Sequence, residues 1–415
     1  MKVSKKITAL LVIFSLAITL YVGFTIIHPH VSPTIPTNHN TPTLNSKIDP
    51  YLLSLINSGM PPTFTTNIIV IFTETDFTPE VKILNSMFPD IAIKKVYDYI
   101  PAVAIESSIS NIQKIASLPQ VSKVWYDYPI HLPTISLKQS DIHSKEAAYD
   151  TKIQALWNLN LTGKGIIVAL LDSGIDTNHP DLDDLDDDNN TSDPKVIASV
   201  SMVEYDPYPF DFNGHGTYVA GIIAGTGKAS NGTYKGIAPQ AQLLNVKVFD
   251  MEGLSFYSWI LSGVEWSVSH GADIIIIPFA GPGYPDDPLC TAVDKAVEYG
   301  AIVIAAAGDD GPAYTSVGSP GMALGPITVG SYNSSSGLVC FNSSRGPSLY
   351  MWMDPDLVAP GYNITSCRAS SPNLGFNISF PSFPVGGFGT PLSENENYTT
   401  ATGTFAAAGY VAGAA

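Results

Sequence analysis

Four stretches of this chain leave no face for water: residues 165–172 (GIIVALLD), 243–250 (LLNVKVFD), 273–279 (DIIIIPF) and 301–308 (AIVIAAAG). Runs this short suit strands, and a strand that is apolar at nearly every position must be covered on both sides. Between them, residues 255–271 (SFYSWILSGVEWSVSHG) and 287–300 (DPLCTAVDKAVEYG) have helical spacing and stop on glycine. Strand and helix in alternation predict a doubly wound α/β domain, a parallel sheet with helices on both faces. In such a sheet function sits beyond the carboxyl ends of the strands.

A smaller unit precedes this domain, over residues 48–134. NIIVIF from Asn67 reads as a strand, TPEVKILNSMF as a helix, and IKKVYDYIPAVAIES as two strands around Tyr99 and Pro101. SNIQKIASLP then reads as a second helix and VSKVWYD as a last strand. That β-α-β-β-α-β order is the ferredoxin-like α+β plan. The larger domain is expected over residues 141–415.

Lys2, Lys5 and Lys6 precede an uncharged run from Ile7 to Ile27, and residues 28–47 form a linker rich in Pro, Thr and Asn. The run is long enough to cross a bilayer as a helix, and the positive residues before it place the rest of the chain outside the cell. It is either a cleaved signal peptide or a retained transmembrane anchor, and no small-x-small cleavage site marks it. Asn-x-Ser/Thr sequons at Asn160, Asn190, Asn231, Asn333, Asn342, Asn363, Asn377 and Asn397 suit an extracellular or cell-surface glycoprotein. Cys290, Cys340 and Cys367 allow at most one disulfide within the chain and lack metal-ligand spacing. A formal charge of -17 argues against nucleic acid as a partner, because phosphate binding rests on clustered Lys and Arg.

Three polar residues stand where the sheet would place a site. Asp172 closes the first apolar run, Asp309 follows the last, and His215 lies in NGHGTYVAGIIAG, where glycine-rich backbone leads into a small-residue helix. Singly, each also fits a turn or a structural histidine. Taken with VALLDSGIDTNHPDL, YKGIAPQAQLLNVKVFD, SSRGP, LVAPG and GTFAAAGYVAG, in this order over roughly residues 151–415, they make the chain resemble the subtilisin family of serine peptidases. The preceding unit resembles that family's inhibitor-like propeptide.

The resemblance implies that Asp172 orients His215, and that His215 takes the proton of a serine at the N-terminus of the last helix. The place of that serine is held by Phe405. A phenyl ring has no lone pair to attack a carbonyl and no proton for His215 to remove. The family's oxyanion-hole Asn falls on Asp309, whose ionised carboxylate accepts hydrogen bonds and repels a developing oxyanion. The family's substrate-pairing Ser-Leu-Gly reads Pro278, Phe279 and Ala280; Pro278 keeps its carbonyl and loses only its donor. Tyr218, Gly409 and Tyr410 stand where the family has His, Pro and His. The chain also stops at Ala415, inside the expected last core helix, where family members continue.

Alternating Asp184, Asp186, Asp188 and Asn190 in DLDDLDDDNNTSDP suit a hard cation such as calcium, a metal that related peptidases hold in comparable loops. The chemistry itself requires no cofactor. The leading reading is an exported homologue of a serine endopeptidase that has lost its nucleophile. Its partners would be a polypeptide substrate or peptide ligand, its own propeptide domain, and the membrane through the N-terminal helix. Two others stand beside it: a working endopeptidase with a substitute nucleophile or a misread codon 405, and a surface glycoprotein with a peptide-binding or structural role.

Overall fold

The computed structural model describes residues 44–73, 77–133, 146–147, 151–187, 193–370, 392 and 395–415. The apolar run at residues 7–27 and most of the linker lie outside them. Among the described residues no helix is long and apolar enough to cross a membrane.

The N-terminal unit runs α1 (Pro50–Asn57), β1 (Thr65–Phe72), α2 (Thr78–Met87), β2 (Ala92–Val96), β3 (Ala102–Ser108), α3 (Ile109–Ala116) and β4 (Val121–Tyr126). Its strands form an antiparallel sheet in the order β2-β3-β1-β4, the ferredoxin-like arrangement expected from the element order. Helix α1 is an addition. Asp49 starts it by accepting from the amides of Tyr51 and Leu52, with Pro50 at its first position.

Strand β1 explains how the unit sits. Ile68, Val70 and Phe72 join Leu52, Ile112 and Ile115 in the unit's own core. Ile69 and Ile71 point the other way and share an apolar cluster with Tyr257, Ile260 and Val264 of the larger domain. A strand without a polar face thus lies between two cores.

Strand β5 (Pro129–His131) ends the N-terminal unit, and the larger part runs β6 (Glu146–Ala147), α4 (Thr151–Asn158), β7 (Ile167–Asp172), β8 (Val196–Ser201), α5 (His215–Ala224) and β9 (Gln242–Lys247). It continues through β10 (Leu254–Phe256), α6 (Tyr257–Ser269), β11 (Ile274–Ile277), α7 (Pro288–Glu298), β12 (Ile302–Ala306), β13 (Ile327–Asn333) and β14 (Leu338–Val339). The last elements are β15 (Leu357–Pro360), β16 (Ile364–Cys367), β17 (Tyr398–Ala401) and α8 (Thr404–Ala414).

Strands β8, β9, β7, β11, β12, β13 and β15 pair in that order, all parallel, with β14 antiparallel on β13. Helices α5 and α8 cover one face and α6 and α7 the other. The four apolar runs supply β7, β9, β11 and β12. Edge strand β8 has no such run and alternates between half-buried and exposed positions. All three cysteines are free and buried.

Candidate active site

Strand β7 has β9 on one side and β11 on the other, so the chain reverses its direction of sheet growth there. That switch point places Asp172, the last residue of β7, beside His215, the first of α5. The approach is close: a methyl group on Gly216 would collide with the carbonyl oxygen of Gly174. Nδ1 of His215 lies 2.8 Å from both carboxylate oxygens of Asp172, and both side chains are buried. Facing a carboxylate, Nδ1 carries a proton, which leaves Nε2 as the unprotonated ring nitrogen.

Two buried charges brace this pair. Asp211 accepts from Ser173 Oγ at 2.8 Å, from the amides of Gly214 at 2.7 Å and Thr217 at 2.8 Å, and from Thr217 Oγ1 at 2.6 Å. Burial raises its carboxyl above the ordinary range, opposed by those donors. Lys247, the last residue of β9, donates to the carbonyls of Ser173 at 2.8 Å and Phe210 at 3.2 Å. Neither was singled out from sequence, although a lysine inside an apolar run is itself a signal that its charge is paired.

Phe405 occupies the second position of α8 and is 1% exposed. Its ring centre lies 4.8 Å from that of His215 and 5.9 Å from that of Tyr218. A methyl group on Gly403 would run into the Phe405 ring, so the ring folds back over the start of its own helix. Tyr218 is tied into the core, its hydroxyl donating to the carbonyl of Ile364 at 2.6 Å.

Asp309 is turned to the same helix end. Its carboxylate accepts from the Thr404 amide at 3.0 and 3.3 Å and from Asn342 Nδ2 at 3.1 Å. Burial pushes its carboxyl up to about 6, against the pull of Thr404. Asp309 therefore caps α8 as an acceptor.

A strand from the N-terminal unit reaches this region. β5 pairs antiparallel with β10, His131 opposite Leu254 and Ile130 opposite Ser255, and the Leu132 amide donates to the Gly253 carbonyl at 2.9 Å. Pro278, Phe279 and Ala280 follow β11, and Phe279 is buried against Phe249 at 4.7 Å between ring centres. They flank β5 without being the strand that hydrogen-bonds it: the side chain of Ile130 lies against Gly281. A three-residue strand that begins with proline carries too little periodicity to be read beforehand.

The N-terminal unit is also held by polar contacts. Asp127 caps α6, accepting from the Ser258 amide at 2.9 Å and Oγ at 2.7 Å. In return, Glu265 of α6 accepts from the amides of Asp98 and Tyr99 and pairs with Lys95 at 3.4 Å.

In the acidic loop, ligand atoms of Asp184, Asp186 and Asp193 come within 4.8 Å of one another; Asp188 lies outside the described residues. Asp193 Oδ1 is buried with no hydrogen-bond partner among the described residues. An all-oxygen donor set with an unsatisfied carboxylate oxygen fits a hard cation. A second cluster, His179, Asp181 and Cys367, is saturated instead. His179 uses Nδ1 toward the Asp181 amide and Nε2 toward the Asn397 carbonyl, while Asp181 takes the Ala229 amide and the Tyr398 hydroxyl.

A doubly wound parallel sheet with a buried Asp-His pair at its switch point, met by a small-residue helix, defines an α/β hydrolytic scaffold of the serine-peptidase type. The sequence model of the subtilase family matches residues 163–415, and the chain belongs to that family. Serine protease AprX of Bacillus subtilis is 38% identical over 231 residues, 51% of this chain and 49% of that protein. Subtilisin E of Bacillus subtilis is 32% identical over 314 residues, 74% of this chain and 75% of its own length. Subtilisin of Bacillus pumilus is 35% identical over 255 residues, 60% of this chain and 85% of its own. The chain thus spans about half the length of AprX.

Proposed function

We propose that this chain is a non-hydrolytic subtilase that keeps the family's peptide cleft and holds its own N-terminal unit there. The observation that carries the reading is Phe405: at the start of α8, against the imidazole of His215, stands a ring that can neither attack a carbonyl nor give up a proton. Asp309, an acceptor bound to the helix end, supports it, because a carboxylate there opposes an oxyanion.

Residues 48–134 act on this reading as a propeptide-like domain that remains a resident partner. The pairing of β5 with β10, and the exchange of caps between Asp127 and Glu265, support that role. A polypeptide would enter the cleft where β5 lies, between β10 and the segment Pro278, Phe279 and Ala280. The sequons and the apolar run 7–27 support an exported or membrane-anchored glycoprotein, and Asp184, Asp186 and Asp193 would hold a calcium ion.

The test is direct. The purified full-length chain, incubated alone at several pH values and treated with a fluorophosphonate probe, is expected to stay uncut between the N-terminal unit and the larger domain and to take no label. Self-cleavage there, or stoichiometric labelling, would overturn the reading and restore a working peptidase.

A further inference from the structure

We propose that a pocket at the end of the cleft receives a cationic side chain, lysine or arginine, of a polypeptide bound there; the proposal rests on the reading of the cleft as a peptide groove. The pocket has a volume of about 540 Å³ and is lined by Tyr205, Tyr208, Phe212, Met251, Glu252 and Asp206. Tyr205 and Tyr208 are 65% and 68% exposed, so two large aromatic side chains stand open to solvent on one short segment.

The wall is held in place. Asp250 accepts the Tyr205 hydroxyl at 2.6 Å on one oxygen and the amides of Glu252 and Leu254 at 2.9 Å on the other. Tyr205 also stands edge-on to Trp259, with ring centres 5.7 Å apart. The same turn continues into Gly253, whose carbonyl takes the Leu132 amide, and into β10, which pairs with β5. A chain lying along β10 therefore passes the mouth of the pocket.

The charge selects the ligand. Asp206, Asp250 and Glu252 are opposed by one ammonium, that of Lys247, which pairs with Asp206 at 3.5 Å. Lys247 is 0% exposed and is already held by the carbonyls of Ser173 and Phe210. Three carboxylates against one ammonium leave a net charge of -2 around aromatic faces that attract cations. A guanidinium can lie flat on a tyrosine ring while its stem covers Met251, and an ammonium gains the same field with less stacking. A neutral sugar would stack on the tyrosines and donate hydroxyls to the carboxylates, but it would leave their net charge uncompensated.

The full-length protein is titrated with Nα-acetyl-arginine amide and with its neutral isostere, Nα-acetyl-citrulline amide, by calorimetry. Arginine amide is expected to bind at least about tenfold more tightly, and Glu252→Gln and Tyr208→Ala each to weaken it at least about threefold. Both positions are surface-exposed, and unchanged thermal unfolding checks that the variants fold. Equal binding of the two amides, no binding of either, or indifference to Tyr208→Ala would overturn the proposal. In parallel, acetyl-Ile-His-Leu-Pro amide is titrated into Ile130→Glu, whose β5 is weakened. If that peptide fails while arginine amide binds, the cleft reading falls and the cation pocket stands; the reverse result removes the pocket alone.

Discussion

The phenyl ring of Phe405 lies 4.8 Å from the imidazole of His215, ring centre to ring centre, with the planes at 57°. The Asp172-His215 pair keeps the geometry of a proton-accepting dyad, yet the side chain delivered to it is apolar. Loss of a nucleophile alone would be met by any small residue. Phe405 instead belongs to the apolar cluster that includes Tyr218, Ile364 and Ala401, so its ring is part of the core where it meets His215.

Phe405→Ala should therefore be a stability variant as well as a site variant. Removing a fully buried phenyl is expected to cost about 3–5 kcal/mol. Urea unfolding at neutral pH checks this, and a loss below about 1 kcal/mol would mean that the ring is dispensable to packing.

If the chain is non-hydrolytic as proposed, two changes should supply the missing chemistry. Phe405→Ser returns a hydroxyl to His215, and Asp309→Asn returns a donor for the oxyanion. In this family the nucleophile carries a factor on the order of 10⁶ in kcat and an oxyanion donor about 10²–10³. The double variant is expected to cut a chromogenic peptide and to release its own N-terminal unit, while Asp309→Asn alone stays silent. Silence of the double variant would show that the dyad no longer meets the position of a substrate carbonyl.

Asp309 also sets a pH dependence. Its carboxyl is raised to about 6 from 3.8, so its contribution to stability is full below the unfolded value and is lost as pH rises through about 6. The shift corresponds to about 2–3 kcal/mol at most. Asp309→Asn should flatten the stability profile between pH 4 and 7. Parallel wild-type and variant curves would refute the assignment.

At the boundary between the units, Asp127 behaves in the same direction. Burial, reinforced by Glu204, raises its carboxyl to about 6 against the pull of Ser258, so the N-terminal unit should dock more tightly in acid than at neutral pH. Protease sensitivity of the junction after Pro133, followed from pH 5 to 7.5, reads this out around the value of about 6, and Asp127→Asn should abolish the trend. Glu265→Ala strands two amides and Lys95, and should weaken docking by about 2–3 kcal/mol at either pH.

Calcium is expected to raise the melting temperature through Asp184, Asp186 and Asp193, with the gain growing as RT ln(1 + [L]/Kd). Asp193→Asn should remove most of the shift. No shift in wild type at millimolar calcium would leave the loop an ordinary solvated turn.

Much of the scaffold was legible because it follows from local pattern. Ile274 to Ile277 cannot face water on either side, so a covered parallel strand was the available answer. β8 and β5 were not legible, since one alternates weakly and the other is three residues long, and each exists because a partner strand presents a free edge. Lys247 and Asp211 were missed for a related reason. Their meaning lies in carbonyls and amides that approach them only after the chain has folded.

The order of residues alone determined two things about this protein: apolar runs that must be buried on both faces, and a phenylalanine without a hydroxyl where the resemblance expects a serine. Only the tertiary structure decided that Phe405 lies on His215, that Asp309 is spent on the end of α8, and that β5 rests on β10. Those contacts join segments far apart in the chain, as the separation of 95 positions from Asp309 to Thr404 shows. No local periodicity specifies such a meeting; it is set by how sheet and helices close around a common core.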